Sequence, residues 1–137
     1  MNEDIRGAEA IESVQLAQDR KATRIAEDYL SAVNARNLQA VGKTLHPDLQ
    51  VIGPAGEVHN KESFIEVYQK VFTHLEKVDV TAQSRLRDQS TSIYNLVFAA
   101  GQVPIKAVMT HEEEGLIKKI EMVYDTAMLQ NHLDPKK

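Results

Sequence analysis

The spacing of apolar residues changes abruptly at Leu75, and this change constrains the fold more than any other feature of the sequence. Ahead of it lies a continuous apolar stripe with helical spacing, formed by Phe64, Val67, Tyr68, Val71, Phe72 and Leu75. From Val78 to Leu86 apolar and polar residues alternate, which is the period of a strand with one buried face. The chain is therefore predicted to pass from an amphipathic helix directly into a β-strand.

A second alternating segment, "TSIYNLVFAA", follows the turn-like "DQS". If Asp88–Ser90 form the loop, Tyr94 lies on the same face of the sheet as Val80 and Ala82. The pattern breaks at "GQVP" and then resumes, so that further strands are expected towards the C-terminus.

The last predicted hairpin runs from Ile105 to Tyr124, and its pattern selects one register. A two-residue turn at Glu114-Gly115 pairs Met109 with Ile120, Ala107 with Met122, and Ile105 with Tyr124. A register slipped by one residue would place these apolar side chains opposite Lys119 and Glu121. We therefore expect an antiparallel meander of three or four strands.

Helices are predicted on both sides of this meander. The first starts near Ala22 and carries Ile25, Ala26, Tyr29, Leu30 and Val33 on one face. Asn37 and Asn60 are suited to cap a second and a third helix, with short strands in "LQVIGPAGEV" between them. Segregated helices and antiparallel strands predict an α+β domain over residues 21–133. Residues 1–20 are expected to form an extension that is helical or partly disordered, and residues 134–137 a tail.

Composition narrows the class of protein further. A chain of 137 residues fits one domain, and its formal charge of -4 disfavours nucleic acid and anionic lipid as partners. The chain has no cysteine, so disulfides and thiolate chemistry are excluded. The start "MNEDIRGAEA" lacks the features of a secretory signal, and no apolar run approaches the ~20 residues of a membrane span. We expect a soluble, cytoplasmic protein.

Two phrases resemble a known superfamily: "AEDYLSAVNARNLQAVGKTLHPDLQVIGPAGEVHNKESFIEVYQKVF" and "GLIKKIEMVYDTAMLQNHL". They are similar to the nuclear transport factor 2-like superfamily, within it to the SnoaL-like polyketide cyclase group, and more distantly to steroid delta-isomerases. The phrase "HPDLQVIGPAGEVHNKESF" alone also resembles DUF4440-like domains. The resemblance implies a cone-shaped fold, in which a strongly curved antiparallel sheet wraps round about three helices and leaves an apolar pocket. It also implies a homodimer that forms through the outer face of the sheet.

The resemblance implies three catalytic residues: Asp125 as acid/base, His111 as its partner, and Tyr29 as a hydrogen-bond donor. The residues themselves leave other roles open. Strict alternation turns Asp125 away from the pocket, and it is equally suited to cap the helix that follows. Tyr29 also suits a helix-sheet interface, and His111 an exposed hairpin. Classical steroid isomerase activity is not expected, because Gly53 and Met109 stand where that enzyme's two acids should be.

Six further residues are expected to bind a ligand: Tyr68, Tyr94, Met109, Met122, Tyr124 and His59. The five histidines do not have a close metal-binding spacing, so neither a metal nor a cofactor is expected. Two functional hypotheses remain. One is a cofactor-independent isomerase, cyclase or lyase (hydratase-type) enzyme that acts on a small hydrophobic carbonyl compound. The other is a non-catalytic ligand-binding or assembly module, dimeric through the face that bears Lys106, Val108, Thr110, Lys119, Glu121 and Val123.

Overall fold

A computed structural model describes residues 20–133, and these residues form four helices and six strands. The helices are α1 over 20–34, α2 Leu38–Lys43, α3 Lys61–His74 and α4 Thr126–Leu133. The strands are β1 Leu45–Gly53, β2 Gly56–Val58, β3 Leu75–Leu86, β4 Gln89–Phe98, β5 Gly101–His111 and β6 Ile117–Val123. The predicted tail, and the predicted extension apart from Arg20, lie outside the described residues. None of the described helices is long and apolar enough to span a membrane.

Side-chain caps fix where α2 and α3 begin. Asn37 Oδ1 accepts a hydrogen bond of 3.0 Å from the amide of Ala40, and Asn60 Oδ1 accepts one of 2.8 Å from the amide of Ser63. Each cap satisfies an amide that has no partner inside the helix. Both predicted caps are confirmed. At its other end α3 passes at Leu75 directly into β3, where the change of apolar spacing predicted it.

The six strands form one sheet in the order β2-β1-β6-β5-β4-β3. Strands β3 to β6 are the predicted antiparallel meander. One pair differs from the predicted antiparallel arrangement, because β1 lies parallel to β6, with Val51 opposite Ile120. Apolar alternation gives the buried face of a strand but not the direction of its neighbour, so the sequence pattern did not predict this pair. The α+β class is confirmed.

The central register of the last hairpin is also confirmed, with Met109 opposite Ile120 and Ala107 opposite Met122. The predicted two-residue turn is wrong. The register shifts after Thr110, so that His111 lies opposite Ile117 and a longer loop joins the strands. The predicted pair of Ile105 and Tyr124 is likewise absent, because β6 ends at Val123.

The hairpin of β3 and β4 turns one residue earlier than predicted, at Arg87-Asp88, with Leu86 opposite Gln89. Val80 pairs with Tyr94 and shares its face as expected. A bulge follows, and Ala82 then lies opposite Ile93 and so faces outward with it, contrary to the prediction. A bulge adds one residue to one strand and bends it, and alternation alone cannot locate it.

The core lies between the inner face of the sheet and the helices. Its largest fully buried side chains are Tyr29, Val33, Val41, Leu45, Leu49, Tyr94, Val103, Met109, Ile117 and Ile120. Along β4 and β5 the even-numbered and odd-numbered residues, respectively, point inward. On the outer face, Ile93 and Val123 are large apolar residues that remain exposed.

Replacement of residues on β6 tests this assignment of faces. Ile120 is fully buried and Val123 is 67% exposed. We expect Ile120→Ala to lower the free energy of unfolding by about 2–5 kcal/mol, because it leaves a cavity in the core. Val123→Ala, the matched control, should change it by less than about 0.5 kcal/mol in urea unfolding of dilute protein. A loss of equal size in the two variants would contradict the register.

Candidate functional site

An apolar cavity of about 260 Å³ lies between the sheet, α3 and α4. The turn between β1 and β2 forms one part of its wall, and Leu129 of α4 contributes to another. Its lining residues are mainly aliphatic and aromatic: Val51, Gly53, Ala55, Gly56, Glu57, Val58, Phe64, Val67, Tyr68, Val71, Leu96, Ile105, Met122, Tyr124 and Leu129. A concave, largely apolar surface with few polar groups is typical of small-molecule sites.

Gly53 helps to keep this cavity open. A Cβ atom at this position would lie 3.7 Å from Cε1 of Tyr124 and 3.9 Å from Cβ of Met122, which is ordinary contact distance. Alanine would therefore fit, whereas a larger side chain would extend among the residues that line the cavity. The space beside Tyr124 and Met122 thus depends on the absence of a large side chain at Gly53.

Tyr68 lines this cavity, and its buried hydroxyl belongs to a cluster of three tyrosines. Its hydroxyl is hydrogen-bonded to that of Tyr29, which joins α3 to α1. The rings of these two residues meet edge to face with centroids 6.1 Å apart, and Phe64 packs on Tyr68 in the same manner at 4.9 Å. The buried hydroxyl of Tyr94 has no hydrogen-bond partner among the described residues.

Burial keeps all three phenols protonated. It raises the pKa of Tyr68 to about 12, and it raises the pKa values of Tyr29 and Tyr94 well above their usual range, as does the proximity of the Tyr68 hydroxyl. The cluster therefore supplies hydrogen-bond donors rather than bases. The bond between Tyr29 and Tyr68 uses only one of their two O–H groups, so an acceptor oxygen placed beside Tyr68 would satisfy a buried donor.

Glu57 is the one carboxylate among the described residues that line the cavity. It lies on the exposed strand β2, where its Oε1 accepts a hydrogen bond of 3.2 Å from Nε2 of Gln50. The same oxygen lies 3.7 Å from Nε2 of His59. His59 is exposed and is not among the residues that line this cavity. It contacts the cavity residue Glu57.

Asp125 lies just before α4 and is exposed. Its Oδ1 accepts a hydrogen bond of 2.9 Å from the amide of Met128, and its carbonyl oxygen accepts one of 3.1 Å from the amide of Leu129. These are the contacts of a helix N-cap. Asp125 is absent from the cavity wall, and its place at the end of β6 is explained by the start of α4.

His111 is buried, which excludes the alternative of an exposed hairpin residue, and it lies in a different part of the molecule. Its Nδ1 is 2.7 Å from the carbonyl oxygen of Gly115, which can only accept, so Nδ1 carries the proton. In the neutral ring Nε2 is then an acceptor, and it accepts a hydrogen bond of 2.8 Å from the hydroxyl of Ser90. Burial lowers the pKa of His111, which favours this neutral form.

The three predicted catalytic side chains therefore line no common cavity. Tyr29 contacts Tyr68, His111 contacts Ser90, and Asp125 caps α4. Of the predicted ligand-binding residues, Tyr68, Met122 and Tyr124 line the apolar cavity. Tyr94 and Met109 are buried in the core behind it.

Sequence reasoning missed most of the aliphatic wall, including Val71, Leu96, Ile105 and Leu129. The apolar stripe of α3 was a usable signal for Val71, because Val71 belongs to that stripe. The glycines of "GPAG" were another, since small residues at a hairpin turn leave space next to the sheet. Over residues 20–133 no group of three or more acidic or histidine side chains is arranged to hold a metal ion.

Comparison with known proteins assigns the chain to a family. Residues 26–117 match the model of the SnoaL-like domain, which is more than half of the chain. The chain belongs to the SnoaL-like family. This agrees with the family resemblance of its sequence and with the curved sheet around helices. A comparison of this chain with curated proteins found no match.

Solved structures share the fold of this SnoaL-like domain at low sequence identity. An NTF2-like protein of unknown function from Cytophaga hutchinsonii is 18% identical, with a TM-score of 0.69 over 79% of this chain and 93% of that one. A steroid delta-isomerase from Pseudomonas aeruginosa is 14% identical, with a TM-score of 0.68 over 84% and 87% of the two chains. An uncharacterized bacterial protein with a cystatin-like fold, from Silicibacter pomeroyi, is 12% identical, with a TM-score of 0.69 over 81% of this chain and 83% of that one. At these identities the likeness shows the fold alone, and the predicted NTF2-like fold is confirmed.

Substitution of Asp125 tests its capping role. Asp125→Ala should lower the free energy of unfolding by about 1 kcal/mol through loss of the cap, and Asp125→Asn should nearly preserve it, because asparagine caps equally well. Urea unfolding of the two variants measures the difference. Equal stability of the alanine variant and the parent protein would contradict the capping role.

The burial of His111 predicts a pH dependence of stability. Because its pKa is lower in the folded protein than its ordinary value of 6.5, the unfolded chain binds a proton first as the pH falls. The contribution of the neutral ring is therefore present above that value and is lost as the pH falls through the folded pKa. His111→Gln should destabilise the protein less at pH about 5.5 than at pH about 7.5. The other histidines are common to both proteins and cancel, so a constant difference would contradict the prediction.

Proposed function

We propose that this SnoaL-like domain binds a small apolar molecule that carries a hydrogen-bond-accepting oxygen. The observation that carries the proposal is Tyr68, which lines a largely apolar cavity and whose hydroxyl is buried and protonated. Tyr29, behind it, holds the phenol in place and can donate to its oxygen, which leaves the Tyr68 proton for the ligand. A carbonyl or hydroxyl oxygen fits this donor.

The size of the cavity limits the ligand. Its volume of about 260 Å³ lies just below the roughly 300–1,000 Å³ of sites for drug-sized molecules. We therefore expect compounds of one or two rings rather than four-ring steroids. Gly53 and Met109 argue separately against the steroid isomerase reaction, because neither side chain can supply an acid of that enzyme's site.

A catalytic use of the cavity is the second candidate, and Glu57 is the observation that favours it. A ketone whose oxygen accepts a hydrogen bond from Tyr68 would have a carboxylate in the same wall to accept a proton from its α-carbon. Such a reaction would be a cofactor-independent isomerisation or lyase step. Neither Asp125 nor His111 takes part in it, because neither lines the cavity.

A homodimer through the outer face of the sheet is also proposed. Val123 and Ile93 support it, since both are large apolar side chains left exposed on that face. Lys106 and Glu121 lie on the same face and could form part of a polar rim.

Binding of a matched ligand pair tests the main proposal. We expect 1-indanone to bind more tightly than indane, its hydrocarbon counterpart, in titrations followed by NMR. Tyr68→Phe should weaken binding of the ketone by about 3- to 10-fold, as expected for one hydrogen bond, and leave indane unaffected. Tyr124→Phe is the control, because it removes a half-buried hydroxyl from the same wall.

Two results would contradict the proposal: binding of neither compound, or equal weakening of both by Tyr68→Phe. The same samples in deuterated buffer test the catalytic candidate. Exchange of the ketone's α-hydrogens that is faster than in buffer and lost in Glu57→Gln would support it. Exchange at the rate of buffer alone would leave binding as the function of the cavity.

A further inference from the structure

The inner face of β4 changes its chemistry along the strand. Phe98, Leu96 and Tyr94 face the core at one end, and Ser92 and Ser90 take the same inward positions at the other. Leu96, which lines the apolar cavity, is six positions from Ser90, a distance of about 20 Å along a strand. The polar end is therefore spatially separate from the cavity of the proposed function.

Ser90 and His111 form a fully hydrogen-bonded buried pair at this end. They are 4% and 3% exposed, and a buried polar pair is stable only when its hydrogen bonds are made. The carbonyl of Gly115 orients the ring by accepting a hydrogen bond from Nδ1. Nε2 therefore accepts a hydrogen bond of 2.8 Å from Ser90 Oγ. A hydroxyl that donates to a neutral imidazole, which is itself oriented by a third group, is the arrangement that activates a serine nucleophile.

Space adjoins both members of the pair. Ser90 lines a cavity of about 340 Å³, and His111 lines another of about 360 Å³. Helix α1 contributes Thr23, Ala26 and Glu27 to the first and Ala22 to the second.

Burial favours the neutral form of the base. Burial, followed by the nearby charge of Arg85, lowers the pKa of His111, while the Gly115 carbonyl, Asp88 and Glu112 act in the opposite direction. Arg85 also lines the cavity on the Ser90 side. Glu27 lines the same cavity, so that groups of opposite charge border it.

We propose that Ser90 is an acyl-accepting nucleophile with His111 as its general base, in a second site that takes small carboxylic esters. Ser90 Oγ forms a bond to the ester carbonyl carbon and gives its proton to Nε2 of His111. The bond from that carbon to the alcohol oxygen breaks, and the alcohol leaves with the proton from Nε2. Water then attacks the acyl-serine, its proton passes through His111 to Ser90 Oγ, and the carboxylic acid is released.

Acetylation by p-nitrophenyl acetate tests the proposal directly. Peptide mass mapping should find the acetyl group on Ser90 in the parent protein and in Ser92→Ala, a control at the next inward position of the same strand. His111→Gln should slow this acetylation by about 100-fold or more, the lower range of general base catalysis. Acetyl groups found only on other residues, or a rate unchanged by His111→Gln, would overturn the proposal.

Cysteine substitution keeps the test decisive if removal of the hydroxyl disturbs folding. The chain has no cysteine, so a thiol introduced by Ser90→Cys or Ser92→Cys is the only one present. At neutral pH, iodoacetamide should alkylate Ser90→Cys about tenfold faster than Ser92→Cys, because His111 accepts the thiol proton and the thiolate is the nucleophile. The additional change His111→Gln should remove the advantage. An inert Ser90→Cys, or one no faster than Ser92→Cys, would assign the pair to structure alone.

Discussion

The contact between the tyrosines of α1 and α3 holds the interior of this domain together. Tyr29 and Tyr68 bring the two long helices into contact beneath the curved sheet, and their hydrogen bond satisfies polar atoms that would otherwise destabilise an apolar core. Because α3 is fixed by this contact, one side of it packs on the core while its Val67 and Val71 border the cavity. The same pair therefore helps to position Tyr68 in the cavity wall.

The sheet then separates two chemically different regions. Leu96 and Ile105 on β4 and β5 line the apolar cavity, whereas Ser90 and His111 on the same strands form the polar pair. Each strand keeps its alternation throughout, so the difference arises only from which inward residues are apolar. One domain in this way has an apolar cavity near α4 and a buried polar pair at the other end of the same strands.

Asp125 illustrates how the end of a strand decides the role of a side chain. Up to Val123 the residues of β6 alternate between core and solvent, and the chain then turns into α4. At that turn a carboxylate can meet the free amides of the first helical turn, which is where Oδ1 of Asp125 binds the amide of Met128. The family resemblance drew attention to this residue for its chemistry, and its local surroundings explain it as a cap.

The amino-acid sequence by itself determined the elements of this protein. The change of period at Leu75, the caps Asn37 and Asn60, and the register of Met109 with Ile120 are local, or depend on one pair of neighbouring strands. The family, the α+β class and much of the core could therefore be predicted. Only the tertiary structure decided the parallel pairing of β1 with β6, the shift of register that buries His111 beside Ser90, and the separation of Tyr29, His111 and Asp125. These depend on bulges, loop lengths and contacts between segments far apart in the chain, which periodicity does not record because it reports only which face of an element is buried.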